Sequence, residues 1–177
     1  MYFPKVDLDQ KFKAYADGEI TTVNINDYKG KNIVLLFYPL DFTFVCPTEL
    51  NVISDRREAF LKRNTVVFLI SKDSVYSHKS WAKQSRSDGG VEGVQWPMIS
   101  DTNGKLSKKF QLYDEEEDIT KRATVILDDQ FNINYIGVHH QSIGRSTDEI
   151  LRLVDAMIFV SKHGDTCPMD WNDKYSK

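Results

Sequence analysis

Asn32-Ile33-Val34-Leu35-Leu36-Phe37-Tyr38 and Thr65-Val66-Val67-Phe68-Leu69-Ile70-Ser71 decide the fold of this chain. Both are short, continuously apolar and rich in β-branched residues, which suits strands buried on both faces. Between them, Thr48 to Asn64 carries Leu50, Ile53, Phe60 and Leu61 roughly on one helical face. The unit is strand, helix, strand, and a crossover of that length joins a parallel pair.

Outward from this unit, the pattern predicts a second helix over Val75 to Ser85 and a third between Asn103 and Phe110, with a glycine-rich loop from Asp88 to Gly93 between them. Thr124 to Asp128 and Asn132 to Val138 read as two strands of a hairpin turning at Asp128-Asp129-Gln130. A last helix opens on the S-x-x-E capping box of Ser146 and Glu149. It buries Ile150, Leu153, Val154, Met157 and Ile158, and stops at Lys162-His163-Gly164. The order βαβ, helix-bearing connection, ββα is the plan of a thioredoxin-like α/β fold with an insertion, a central mixed sheet flanked by helices. We expect one domain over 1–160 and a C-terminal arm over 161–177.

Composition bounds the function. The chain has 177 residues, 41% hydrophobic, with 23 basic against 26 acidic side chains and a net charge of −3. That balance argues against binding of nucleic acid or of an anionic membrane surface. The longest apolar run, Ile33 to Tyr38, is far too short to span a bilayer, and the start, Met1 to Asp7, has no signal-peptide character, so a cytoplasmic protein is expected. Two cysteines in such a chain do not make a disulfide-built scaffold. His78, His139, His140 and His163 show no zinc-ligand spacing, so no metal is expected, and no phosphate-loop or dinucleotide fingerprint occurs. No cofactor is indicated.

Chemistry concentrates after the first strand, in Tyr38-Pro39-Leu40-Asp41-Phe42-Thr43-Phe44-Val45-Cys46-Pro47-Thr48-Glu49. This lies at the carboxyl edge of the sheet, where α/β sites collect. Pro47 fits only the first turn of a helix, which puts Cys46 at a helix start, where free N–H groups favour thiolate. Read alone, a Cys after an apolar strand is as a rule a small buried hydrophobe. Pro39, Thr43 and Cys46, however, match the P-x-x-x-T-x-x-C motif of the peroxiredoxins, and FYPLDFTFVCPTEL resembles their typical two-cysteine branch almost letter for letter. The resemblance continues through Trp81, Arg122, Ile143 to Ser146, and His163 to Trp171, in order along nearly the whole chain.

The resemblance implies a thiol peroxidase for hydrogen peroxide and alkyl hydroperoxides. Cys46 would attack the O–O bond and become a sulfenic acid. Thr43 would hold the peroxide, Arg122 would stabilise the thiolate and the developing charge, and Pro39 would shield the pocket. Glu49 and Arg145 would orient Arg122. From its position alone, Arg122 reads as a surface residue closing the charged stretch that begins at Asp114, whose acidic run to Asp118 looks like a solvated loop. Cys167, by the same resemblance, would be the resolving cysteine that forms a disulfide with Cys46 of another subunit. A homodimer follows, with five dimers in a ring as the branch's common assembly and thioredoxin or a similar dithiol as reductant. The loop reads Gly89-Gly90-Val91-Glu92-Gly93, not Gly-Gly-Leu-Gly, and Tyr175 is followed by Ser176. Both departures predict resistance of Cys46 to overoxidation. A thioredoxin-type exchanger would need the absent C-x-x-C; a holdase or redox-signalling scaffold is the other reading.

Overall fold

The computed structural model describes residues 5–164 and 166–172. In chain order the strands and helices are β1 Lys11–Ala16, β2 Glu19–Asn24, β3 Asn32–Phe37, α1 Val45–Asp55, α2 Arg57–Leu61, β4 Thr65–Ser71, α3 Val75–Trp81, β5 Met98–Ser100, α4 Lys105–Lys109, β6 Tyr113–Asp114, β7 Ile119–Thr120, β8 Arg122–Leu127, β9 Ile133–His139 and α5 Thr147–His163. Strands pair in the order β2-β1-β5-β4-β3-β8-β9, and β6 pairs with β7 apart from this sheet. β4 lies parallel to β3 and to β5, while the other neighbours are antiparallel. The sheet is therefore mixed, with the two apolar stretches at its centre and Ile33 to Phe37 and Val66 to Ile70 all buried.

The crossover helix is broken. Its first segment begins at Val45, taking Cys46 and Pro47 into the first turn, and it ends where Arg56 leaves helical geometry at φ −95°, ψ 13°. The break falls in Asp55-Arg56-Arg57-Glu58, none of which is buried in the core, so interrupting the helix there loses no apolar contact. Phe60 on α2 remains fully buried, edge-on to Trp96. The predicted helix from Val75 stops four residues early, at Trp81. The Trp81 carbonyl accepts from Gln84 and Val91 N–H and its indole donates to the Gly89 carbonyl, so the chain beyond hangs on Trp81 instead of continuing the helix. Gly90 is required there, since a Cβ would lie 2.0 Å from the Gln84 carbonyl oxygen.

The β1–β2 hairpin, β5 and the small β6–β7 hairpin lie outside the strands expected from the sequence. The β1–β2 hairpin turns on Asp17 and Gly18, both at positive φ (50° and 86°) as a type I′ turn needs, a signal present in the sequence as Asp-Gly. β5 is only three residues long, too short for a period to register. Strand β8 starts at Arg122, two residues ahead of the expected Thr124, and β9 runs on to His139. The acidic run is not merely a solvated loop: it forms the tip of the β6–β7 hairpin, and Asp118 accepts hydrogen bonds from Lys72 and Tyr113.

Helix α5 is capped as predicted by Ser146, whose hydroxyl accepts from Glu149 N–H at 3.2 Å. The box is only half made, because the Glu149 carboxylate turns to Arg152 instead. Leu151 joins Ile150, Val154 and Met157 in the buried stripe, while Leu153 and Ile158 are only partly covered. The helix ends at Gly164 in the left-handed region (φ +67°). Among the described residues no helix is long and apolar enough to cross a membrane.

Candidate active site

Register builds the site. In the antiparallel β3–β8 pair Phe37 faces Ala123, so Arg122, the first residue of β8, lies beside the point where β3 gives way to Tyr38-Pro39. The chain then loops back into α1, where Cys46 and Glu49 stand three residues apart on one helical face. Cys46 is 0% exposed and Arg122 only 3%. Both terminal guanidinium nitrogens of Arg122 point at the Cys46 sulfur, at 3.6 and 3.5 Å.

The guanidinium is fixed from two other sides. Its Nη1 donates to Glu49 Oε2 at 2.5 Å and its Nε to the Gln141 carbonyl at 2.8 Å. Glu49 in turn accepts from Arg145 through the backbone N–H at 2.7 Å, Nε at 2.9 Å and Nη2 at 2.7 Å. Arg145 Nη1 reaches the Phe37 carbonyl at 2.9 Å and the Ala123 carbonyl at 2.6 Å. One residue thus ties α1 to both strands under the site. Burial pushes the Glu49 carboxyl up, but hydrogen bonds from Arg145 and the charges of Arg145 and Arg122 outweigh it and hold Glu49 below the usual carboxylate range. Two guanidinium charges against one carboxylate leave a single positive charge, and the group facing it is the Cys46 sulfur.

Pro39 is buried and Thr43 half-buried in the loop before α1. The Thr43 hydroxyl donates to the Leu40 carbonyl at 3.0 Å, so its oxygen is left to act as an acceptor. Cys46, Arg122, Glu49 and Arg145 are therefore joined in one cluster, with Pro39 and Thr43 on the segment leading into it. Cys167 is not joined to it. Both cysteines are free, and the Cys167 sulfur sits 3.7 Å from the Ala156 carbonyl on α5. The arm carrying it is pinned by Trp171, whose ring is buried against Phe159 and whose own carbonyl accepts from Arg152 Nη1 at 3.1 Å.

The sequence reading missed two supports. Gln141 acts through a backbone carbonyl, which no residue pattern reveals. Thr120 donates its hydroxyl to the Tyr38 carbonyl, fixing the chain just before Pro39, and only its burial in β7 marks it. A cavity of about 650 Å³ lined by Lys62, Arg63, Asp128 and Asp155 lies at the other end of β3 and includes none of the site residues.

Residues 4–136 match the AhpC/TSA family. A putative thioredoxin peroxidase of Encephalitozoon cuniculi is 52% identical over 97% of this chain and 97% of its own. Peroxiredoxin prdx-2 of Caenorhabditis elegans is 48% identical over 91% of this chain and 80% of its own. Among solved structures, the reduced 2-Cys peroxiredoxin of Plasmodium vivax superposes with a TM-score of 0.89 at 36% identity, covering 92% of this chain and 85% of that one. AhpC of Enterococcus faecalis gives 0.87 at 36% identity, over 94% and 98%. The chain belongs to the AhpC/TSA family, as a peroxiredoxin of the two-cysteine type, an enzyme that reduces peroxides.

Proposed function

We propose that Cys46 is the residue oxidised by peroxide and that Cys167 of the partner subunit resolves it. The Cys46 thiolate attacks one oxygen of the hydroperoxide, an S–O bond forms as the O–O bond breaks, and the leaving alkoxide or hydroxide takes a proton to depart as alcohol or water. Arg122 meets the charge on both sides of this step, on sulfur before it and on the departing oxygen during it. Glu49 and Arg145 hold Arg122 in place, Thr43 accepts a hydrogen bond from the peroxide, and Pro39 keeps water from the sulfur. The Cys167 thiol of the partner subunit then displaces the sulfenic hydroxyl as water and leaves a disulfide. Thioredoxin or a similar dithiol reduces it by exchange. A homodimer is implied, and five such dimers in a ring are the larger assembly we expect.

The observation that carries this reading is the pair of Arg122 nitrogens at 3.6 and 3.5 Å from a buried Cys46 sulfur. A non-reducing gel of wild type, Cys46→Ser and Cys167→Ser after one equivalent of hydrogen peroxide, with peroxide loss followed in parallel, tests it. A linked dimer in wild type alone, with fast first-turnover consumption kept by Cys167→Ser and lost by Cys46→Ser, is the expected outcome. Fast consumption by wild type without a linked dimer would remove Cys167 from the mechanism.

A further inference from the structure

The β3–β8 ladder ends just short of the site. Phe37 faces Ala123, Tyr38 turns its N–H to the Ile70 carbonyl on the β4 side at 2.9 Å, and the next residue to face β8 would be Pro39, which has no N–H to give. Opposite Pro39, the Lys121 N–H is already spent on the Leu112 carbonyl at 2.8 Å. Backbone pairing to β3 therefore cannot fix the chain that enters Arg122. A side chain does so instead: Thr120, buried at the end of β7, donates its hydroxyl to the Tyr38 carbonyl. That bond joins the residue before Pro39 to the residue two places before Arg122.

Thr120 is only as well placed as the hairpin that carries it. Among the described residues β6 and β7 pair with each other and with no strand of the main sheet. Lys72, the residue after β4, holds the hairpin from its other side. Its ammonium donates to the Asp118 carboxylate and, at 3.2 Å, to the Tyr113 hydroxyl, which itself donates to Asp118. The same ammonium stands 4.8 Å from the centre of the Tyr113 ring, and that of Lys108 on α4 stands 4.5 Å from it. The ring lies against Gly104, where a Cβ would sit 3.3 Å from its edge. Hydrogen bonds from Lys72 and Tyr113 hold Asp118 below the usual carboxylate range, and the bond to Asp118 raises Lys72 above the usual lysine value, so both are charged near neutral pH.

We propose that Lys72, Tyr113 and Asp118 form an ionic pin that seats the β6–β7 hairpin, and that Thr120 passes this seating to Tyr38 and Arg122, so that the pin sets how squarely Arg122 meets the Cys46 sulfur during oxidation. All four are positioning residues: none touches the reacting atoms. The inference rests on Cys46 being the residue that peroxide oxidises. The Lys72 side chain is 14% exposed and that of Asp118 72%, so salt screens this pair, while the buried Arg122–Glu49 pair is screened far less. Hydrogen peroxide is uncharged, and salt leaves its approach alone.

The test is single-turnover oxidation of Cys46 by hydrogen peroxide, followed by stopped flow in the full chain carrying Cys167→Ser, at about 20 mM and about 1 M sodium chloride. Lys72→Met and Thr120→Val each slow the reaction about fivefold or more, and Lys72→Arg restores most of the rate. The parent chain slows about twofold at high salt, and Lys72→Met shows no such response. A Lys72→Met or Thr120→Val rate equal to the parent's, a salt response that survives in Lys72→Met, or an arginine variant no faster than methionine would each overturn the proposal. Amide exchange is measured alongside, and protection lost from β3 and β4 in Lys72→Met would mean general destabilisation and overturn it too. Failure of the Cys46 reading appears separately, as a parent chain in which peroxide leaves Cys46 unoxidised.

Discussion

At the scale of the residue, the site is one positive charge held against one sulfur. Arg122 supplies that charge through a planar fork, both terminal nitrogens being near the sulfur while Nη1 also donates to Glu49. Lysine has no such fork, so Arg122→Lys lowers the rate constant for Cys46 with hydrogen peroxide about a hundredfold or more, measured by single-turnover stopped flow. Glu49 bridges two arginines in a site closed to water. Its removal leaves buried guanidinium charge uncompensated, so Glu49→Gln costs about 3–5 kcal/mol in urea unfolding near neutral pH. The pH dependence has a definite sign. A carboxyl held below its ordinary range when folded adds stability above the unfolded value and loses it as pH falls through the folded one. Wild type therefore loses stability through the acid end of the carboxylate range, and Glu49→Gln has a flatter profile there. A Glu49→Gln profile as steep as wild type would place the titrating group elsewhere.

At the scale of the element, the loop hung on Trp81 depends on Gly90, whose hydrogen faces the Gln84 carbonyl. Gly90→Ala forces the backbone apart, and thermal unfolding should show a loss of roughly 1–3 kcal/mol or more. Legibility also divides at this scale. The central strands were readable because a run such as TVVFLIS is buried on both faces and so apolar throughout. Helix α5 was readable because its stripe and its cap agree. The break at Arg56 was not, because charged residues satisfy a helix face and a helix interruption equally well. Hairpin β1–β2 is marked only by Asp17-Gly18 and the alternation of Phe12 and Ala14 with lysines, and it contains no long apolar run. Of the site, Pro39, Thr43 and Cys46 form a linear motif. Arg122 and Arg145 are distant in sequence and meet Glu49 only through the β3–β8 register, so residue types alone read Arg122 as surface, and its proposed role comes from the family resemblance.

At the scale of the whole molecule, the sheet brings distant segments to one edge, while the arm with Cys167 rests on α5, its sulfur by the Ala156 carbonyl. Trp171 is its anchor, 3% exposed and 5.2 Å from the Phe159 ring. Trp171→Ala should release the arm, seen as faster tryptic cleavage after Lys162, with the first oxidation of Cys46 unchanged. Slower oxidation of Cys46 would instead show that the arm supports the reacting cluster. The most direct measurement of the central claim is mass spectrometry of the Cys167→Ser chain after one equivalent of hydrogen peroxide, with a sulfenic-acid trap present. The account predicts a trapped sulfenic acid on Cys46 in nearly every chain, formed within the dead time of mixing, and a slow, partial yield when Arg122→Lys is added. An unmodified Cys46 under these conditions, with peroxide consumed or not, would contradict it.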